Sequence, residues 1–260
     1  MPIPVGITTS VLVRNIQERI KNYNQNLDFY VRDYQQYISK RRSIFCETHK
    51  ISDIFQNDEY ISELRWILDK FGMNARRSQL TEQSSFSKVI EESTPIFEKI
   101  LEHETTLQKV SFTNSNQSRD YYSLICEIYN LFSKPGKLSY SGGFVIASKT
   151  MHFILPDLFV MIDGAHIGIS LYNISDYHPH SDNGKDWFEA IPSYSGKKSN
   201  PSPRGQGRTS WDSERYCIAL LFYKRIYHEW IETFNSNHET FIELDTFSRS
   251  VPRIIDKSLW

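Results

Sequence analysis

The sequence has few cysteines and almost no net charge, and both shortages narrow the classes of protein it can belong to. Its three cysteines, Cys46, Cys126 and Cys217, are widely separated and form no CxxC motif and no Cys/His pair with zinc spacing. The pattern predicts reduced core thiols in a cytoplasmic protein, with the nucleus as the alternative compartment. Because the formal net charge is −1, any basic surface for nucleic acid must be local.

Targeting segments and common cofactor motifs are also missing. The first five residues lack the basic and apolar regions of a signal peptide, and no apolar run approaches the length of a membrane span. The P-loop, the Rossmann glycine fingerprint, the GxSxG elbow and the HExxH helix are absent. We therefore expect no membrane partner, and we predict neither a metal nor a cofactor.

Helical periodicity dominates what the 260 residues do contain, and hydrophobic residues make up 39% of them, enough for a sizeable core. Apolar positions from Ile16 to Ile38 alternate steps of four and three, which predicts one long helix with Ser10 as its N-cap. Similar stripes, four of them with proline or glycine at an end or a break, predict five further helical segments. These lie at about 58–71, at about 84–101 with a break or restart at Pro95, at about 118–132, from about 210, and after Pro252.

Strand signals are few. The run from Leu158 to Ile162 is short and apolar, and it fits either a strand or a buried extended link. We therefore predict a mainly α fold in a single helical domain, residues 1–260, that could divide into two lobes at about 1–115 and 116–260.

A long insertion at about 172–209 differs from the helical remainder. It is rich in glycine, serine and proline and carries four positive charges, at Lys197, Lys198, Arg204 and Arg208. Loops of this length inside compact domains are usually functional or disordered. The segment is interpreted either as a loop that contacts DNA phosphates or as a solvated linker. Two shorter basic clusters, 40–42 and 76–77, fit DNA contact only if folding brings them beside this loop.

The most informative stretch of the sequence runs from Gly142-Gly143 to His166. The two glycines precede an apolar helical segment on which Lys149 and His152 share one face, because they are three residues apart. Pro156 should end that helix, and the apolar run that follows leads directly to Asp163. The pattern predicts one carboxylate presented by a buried stem, near a lysine.

This arrangement resembles the catalytic stretch of the helix-hairpin-helix DNA glycosylases, which remove a damaged or modified base from DNA. In that family a glycine-rich hairpin opens a helix, many members carry a lysine on it, and an apolar segment then delivers the catalytic aspartate. Val160-Met161-Ile162-Asp163 resembles the aspartate segment, and Lys149 corresponds to the helix lysine. The usual Leu-Pro-Gly-Val-Gly hairpin is absent, and Lys149 and Asp163 are closer in sequence than is typical.

The resemblance implies a helical two-lobed fold and hydrolysis of an N-glycosidic bond in double-stranded DNA with a flipped base. Asp163 would stabilise the sugar cation or activate water, and Lys149 would be the nucleophile or a phosphate contact. Gly142, Gly143, His152, His166 and the four basic loop residues would contact DNA. The substrate would be a modified base, and the protein would act in defence against bacteriophage or in base-excision repair.

Two rival hypotheses belong to other classes. In a non-catalytic helical module that binds nucleic acid or protein, Asp163 would only cap a helix and Lys149 would face solvent. His152 would then be a hydrogen-bonded core or surface histidine. In a metal-dependent nuclease, the cluster His178-x-His180-x-Asp182 would provide the ligands.

Overall fold

A computed structural model describes residues 3–48, 50–74, 79–103, 106–112, 116–163, 166–177 and 212–260. Within these ranges the chain forms twelve α-helices and one 3-10 turn, Leu107–Lys109. The helices are α1 (Thr9–Asn26), α2 (Asp28–Glu47), α3 (Ile51–Phe55), α4 (Asp58–Lys70), α5 (Gln83–Glu92), α6 (Thr94–Glu102), α7 (Asn116–Ser133), α8 (Phe144–Ile154), α9 (Ile167–Asn173), α10 (Ser213–Thr233), α11 (His238–Glu243) and α12 (Val251–Leu259).

The mainly α prediction is confirmed. In the ranges given above, β-type pairing is confined to two isolated bridges, Ile7 with Ile174 and Leu80 with Ser139. Buried apolar side chains from Ile3 to Leu259 form one continuous core. The division into two lobes stays a prediction, as does the likeness to the glycosylase fold.

The long N-terminal helix predicted from one apolar stripe is in fact two helices. The chain leaves helical geometry at Leu27, where φ is −129° and ψ is 37°, and α2 restarts one residue later. The stripe continues across this break, because Tyr23, Tyr34 and Ile38 are all buried. Periodicity therefore reported the buried face and missed the break. The N-cap is Thr8, whose hydroxyl accepts from the N–H of Val11, and not Ser10.

Proline and glycine end or restart helices where the sequence predicts it. Gly72 follows α4 with a φ of +82°, and the N–H of Met73 donates to the Leu68 carbonyl in the manner of a Schellman cap. Pro95 lies in the first turn of α6 and so restarts the helix. Two short helices, α3 and α11, were not predicted.

Helix α12 is unusual because all nine of its residues are buried. It packs against α1, α9, α10 and α11. Its sequence nevertheless includes Arg253, Asp256 and Lys257, which are 2%, 0% and 2% exposed. Because buried charges are costly unless they are paired or hydrogen-bonded, these side chains must find polar partners inside the protein.

Candidate active site

A glycine turn joins α7 to α8 and sets the direction of the helix that carries Lys149. Gly142 has a φ of +62°, and a Cβ there would overlap the backbone of Ser133 and Pro135. Its N–H donates to the hydroxyl of Ser139 (3.1 Å), and the N–H of Gly143 donates to the carbonyl of Ser133 (2.7 Å). Both glycines therefore shape the turn, and their N–H groups are already engaged by the protein and not directed at a phosphate.

Residues 159–163, which we call the link, are neither helix nor strand, and the link ends at Asp163. Its apolar side chains are buried, so its backbone polar groups need partners. Those partners are side chains of helices. His152 Nδ1 donates to the Phe159 carbonyl (2.7 Å), Tyr216 Oη donates to the Val160 carbonyl (3.1 Å), and the Ile162 N–H donates to Ser148 Oγ (3.0 Å). The Met161 N–H faces the Asp256 carboxylate and helps to lower its pKa.

These four side chains hold the link without a neighbouring strand. Ser148 and His152 come from α8, Tyr216 from α10 and Asp256 from α12. Three separate helices therefore position the backbone that leads into Asp163. Such a scaffold fixes a functional side chain more tightly than a free loop would.

Asp163 itself is held by a well-defined set of donors. Its Oδ1 accepts from the backbone N–H of His166 (2.7 Å) and Ile167 (3.3 Å), and its Oδ2 accepts from the indole N–H of Trp260 (3.3 Å). The side chain is 22% exposed. Burial opposes ionisation, but the His166 contacts and the positive charge of Lys149 outweigh it and lower the pKa of Asp163 to about 2. The carboxylate is therefore ionised at neutral pH.

An aromatic pair lies against this carboxylate. The His166 and Trp260 rings are stacked, with centroids 3.8 Å apart and planes 20° apart. His166 is 34% exposed at its side chain, and its Nδ1 lies 3.6 Å from Asp163 Oδ1. Trp260 also packs edge-on against Tyr23 of α1. The pair offers a flat, partly exposed surface beside an ionised acid.

Lys149 points from α8 toward the α4 terminus. Its Nζ donates to the carbonyl of Phe71 (2.6 Å), and the side chain is half-buried. Burial lowers the pKa of Lys149 to about 8, although the negative charges of Asp163 and Asp256 partly oppose this. Lys149 and Asp163 therefore act on each other electrostatically while each keeps its own hydrogen-bond partners.

His152 is not at the surface of this site. It is fully buried, and burial lowers the pKa of its imidazole to about 3, so the ring is neutral. Because a carbonyl can only accept, Nδ1 carries the proton donated to Phe159, and Nε2 accepts from the hydroxyl of Tyr34 (3.1 Å). The predicted DNA contact through His152 is dropped for this reason, and the residue is a core histidine that fixes the link.

Sequence reasoning missed a buried charge cluster behind Lys149. The guanidinium of Arg253 donates to Tyr23 Oη (2.8 Å) and lies 5.1 Å, 5.1 Å and 5.5 Å from the ring centroids of Tyr23, Tyr34 and Phe71. Phe71 thus contacts Arg253 through its ring and Lys149 through its carbonyl. The available signal was the spacing of Arg253 and Asp256, opposite charges three residues apart in a helix that also contains two isoleucines, a valine and a leucine.

Asp256 is the acid of this cluster. One oxygen accepts from the hydroxyl of Tyr223 (2.8 Å), and the other lies 3.9 Å from Arg253 Nη1. Burial raises its pKa to about 7, the nearby charge of Asp163 adds to the rise, and Arg253 opposes it. Two aspartates in one neighbourhood thus have pKa values displaced in opposite directions, a pattern that is frequent at catalytic sites.

Several predicted residues lie outside the described ranges. They are the basic loop residues Lys197, Lys198, Arg204 and Arg208, the cluster His178, His180 and Asp182, and the pair Arg76-Arg77. In the remaining basic cluster, Lys40 pairs with Glu63 (2.7 Å), and Arg41 donates to the Ile154 carbonyl at the end of α8 (2.9 Å). These two charges are thus used within the fold.

Two other kinds of feature, metal-binding clusters and membrane-spanning helices, are absent from the described residues. No group of three or more His, Cys, Asp or Glu side chains there could hold a metal ion. Among the same residues, the helices are all too short or too polar to cross a bilayer. Comparison with protein-family models, with curated proteins and with solved structures found no match to this chain.

Proposed function

We propose that the protein is a DNA glycosylase-like enzyme that hydrolyses the N-glycosidic bond of a modified base. The observation that carries the proposal is the state of Asp163: an ionised, partly exposed carboxylate, fixed by backbone and indole donors, whose pKa the charge of Lys149 helps to lower. Its biological setting would be defence against bacteriophage DNA or base-excision repair, and its partner would be duplex DNA with the target base flipped out.

In this proposal Asp163 acts by electrostatics. Cleavage of the glycosidic bond places positive charge on the sugar, and a fixed carboxylate stabilises that charge. A carboxylate with a pKa of about 2 is a weak base, so charge stabilisation outweighs proton abstraction as its contribution. The donors that lower this pKa also hold the carboxylate in place without reorganisation during the reaction.

Lys149 provides the nucleophile, or a phosphate contact if no covalent step occurs. With a pKa of about 8, roughly a quarter of the amine is neutral at pH 7.5. A neutral amine can attack C1′ of the sugar and displace the base, which takes one proton of the amine. The C1′–O4′ bond then breaks to give a Schiff base with the opened sugar, and O4′ takes the second proton to become a hydroxyl. To do so Nζ must release the carbonyl of Phe71, to which it now donates.

His166 and Trp260 form the surface against which the extruded base stacks. Their parallel rings lie at van der Waals distance, and His166 keeps about a third of its side chain exposed. Stacking of a base on an aromatic side chain stabilises binding by about 1–3 kcal/mol. The stacked pair places a base next to Asp163, as cleavage of its glycosidic bond requires.

The test uses duplex oligonucleotides that each carry one modified base, followed by alkaline cleavage of abasic sites. Purified protein should cleave at least one substrate, and Asp163→Asn should lose about 100-fold or more of the rate. Asp176→Asn is the matched control, because Asp176 also accepts a backbone N–H, from Thr9 (2.9 Å), and also pairs with a cation, Arg225 (3.0 Å). Absence of abasic product on every substrate, or an equally active Asp163→Asn, contradicts the proposal.

A borohydride experiment decides the role of Lys149. If the amine forms a Schiff base, borohydride reduces it to a stable covalent complex with DNA, and Lys149→Gln abolishes that complex. If Lys149 contacts phosphate only, no complex is trapped, and Lys149→Gln weakens binding while abasic sites are still produced.

The non-catalytic helical module remains the second candidate, and one observation favours it. Asp163 does accept the backbone N–H groups at the start of α9, as that hypothesis predicts. The same hypothesis predicts a solvent-facing Lys149, whereas Lys149 is half-buried and bonded to Phe71. A protein that binds DNA with unchanged affinity after Asp163→Asn, and that never cleaves it, would favour the module.

A further inference from the structure

Two cysteines that are far apart in sequence meet between α7 and α10. The Sγ atoms of Cys126 and Cys217 lie 3.9 Å apart, at hydrogen-bonding distance for thiols. A disulfide requires about 2.05 Å, so the sulfurs must approach by about 2 Å. Closing this gap requires rotation of the two side chains and a small approach of α7 and α10. The third cysteine, Cys46, is exposed on α2.

The two thiols have different environments, which suits a stepwise oxidation. Cys126 is partly exposed, whereas Cys217 is fully buried. The hydrogen bond with Cys217 lowers the pKa of the Cys126 thiol, helped by Tyr122 and Ser213. Burial raises the pKa of the Cys217 thiol, which therefore keeps its proton. One sulfur is thus the accessible, more acidic one, and the other waits beside it as a thiol.

We propose that Cys126 and Cys217 are a peroxide-sensitive thiol pair that closes to an intrachain disulfide. The Cys126 thiolate attacks one oxygen of hydrogen peroxide, the O–O bond breaks, and the leaving hydroxide takes a proton to become water. The Cys217 sulfur then attacks the Cys126 sulfur, the S–O bond of the sulfenic acid breaks, and a second water leaves. Two thiols and one peroxide thus give one disulfide and two waters.

The bond would form next to the scaffold that holds the link. Cys217 follows Tyr216 directly, and the hydroxyl of Tyr216 bonds the Val160 carbonyl (3.1 Å) while its ring stacks on Tyr129 of α7 (4.8 Å). Movement of α10 toward α7 therefore acts on a tether of the segment that ends at Asp163. The pair is a modification site whose existence does not depend on the glycosylase proposal.

The experiment exposes the reduced full-length protein to hydrogen peroxide, blocks the remaining thiols and maps tryptic peptides by mass spectrometry. The three cysteines fall in three different tryptic peptides. The expected product is a crosslink between the Cys126 and Cys217 peptides, formed at a rate independent of protein concentration. Oxidation of this pair should be at least about tenfold faster than oxidation of Cys46.

Three serine variants complete the test. Cys46→Ser should leave the crosslink unchanged. Cys217→Ser should leave a sulfenic acid on Cys126 that dimedone traps, and Cys126→Ser should leave Cys217 reduced under the same exposure. The proposal is overturned if the wild-type protein forms no 126–217 crosslink, if its crosslinks are intermolecular, or if Cys126→Ser leaves Cys217 as reactive as before.

Discussion

The protein contains two lysine–aspartate couples that begin from the same chemistry and end in different states. Burial lowers the pKa of both Lys149 and Lys257 to about 8. Lys257 donates directly to Asp245 at 2.6 Å, and both side chains are at most 1% exposed. Lys149 donates to a backbone carbonyl, and Asp163 accepts from backbone N–H groups and an indole.

The difference shows how one kind of charge pair serves structure and another can serve chemistry. Lys257 and Asp245 neutralise each other, and Asn24 and Ser248 complete their hydrogen bonds, so nothing is left for a substrate. Lys149 and Asp163 are held mainly by uncharged groups, so each keeps its charge available at a partly exposed position. Loss of one partner of a buried ion pair destabilises the fold, whereas two separately held charges can act on a third group.

The largest effect is expected from breaking the buried pair of Lys257 and Asp245. Asp245→Asn should lower the free energy of unfolding by about 3–5 kcal/mol, because it leaves the Lys257 ammonium buried without its counter-charge. Urea unfolding measures the loss, and exposed Asp28→Asn, which removes a surface pair with Arg32, is the control. If Asp245→Asn is as stable as that control, the pair of Lys257 and Asp245 does not contribute to the stability of the fold.

The next effect is the contribution of Asp163 to the dependence of stability on pH. The folded pKa of Asp163, about 2, lies below its ordinary value of 3.8, so its stabilising contribution is complete above that value. It is lost as the pH falls through the folded pKa, and it amounts to about 2 kcal/mol. Asp163→Asn should therefore reduce the change in unfolding free energy between about pH 4 and pH 2. An unchanged pH profile in that window contradicts the assignment of Asp163 as a fixed, ionised group.

A smaller effect compares the two lysines directly. Both amines have the same displaced pKa, so a difference in their rates of acetylation reports access. Lys149 should react at least about tenfold faster than Lys257, with a midpoint near pH 8 for its rate. Exposed Lys21 serves as the reference for reagent access. Equal rates for Lys149 and Lys257 would show that the two amines are equally accessible, and would remove the distinction between the two pairs.

The sequence predicts those features of the fold and site that are determined by residues close together in the chain. The end of α8 before Pro156, the start of that helix after Gly142-Gly143, and the apolar run into Asp163 follow from turn chemistry and hydrophobicity within about twenty residues. The position of Asp163 at the end of a buried segment was therefore predictable. His166 and Lys149, which lower the pKa of Asp163, also lie close to it in sequence. The indole donor of Trp260 was not predictable, because it lies 97 residues away.

The charged helix α12 shows the limit more clearly. A short segment after Pro252 was predicted to be helical, but periodicity identifies only one apolar face. It could not indicate that α1, α9, α10 and α11 bury the opposite face with Arg253, Asp256 and Lys257. For the same reason His152, on the same helix face as Lys149, was grouped with the site while its ring lies in the core. Such placements depend on packing between distant segments, which a local pattern does not encode.

The smallest effect is expected from removing one hydrogen-bond donor of Asp163, the indole N–H of Trp260. Trp260→Phe removes the indole N–H from Asp163 Oδ2 (3.3 Å) but keeps an aromatic ring to stack on His166. One hydrogen bond to a carboxylate stabilises its charged form, so the pKa of Asp163 should rise modestly, and stability should fall by about 1 kcal/mol. NMR titration of the Asp163 carboxyl measures the shift, and the Asp245 carboxyl should not move. A stability loss as large as that of Asp163→Asn, without a change in the Asp163 pKa, would mean that Trp260 acts by packing alone. The charge state of Asp163 would then depend on the N–H groups of His166 and Ile167 and on Lys149, without a contribution from Trp260.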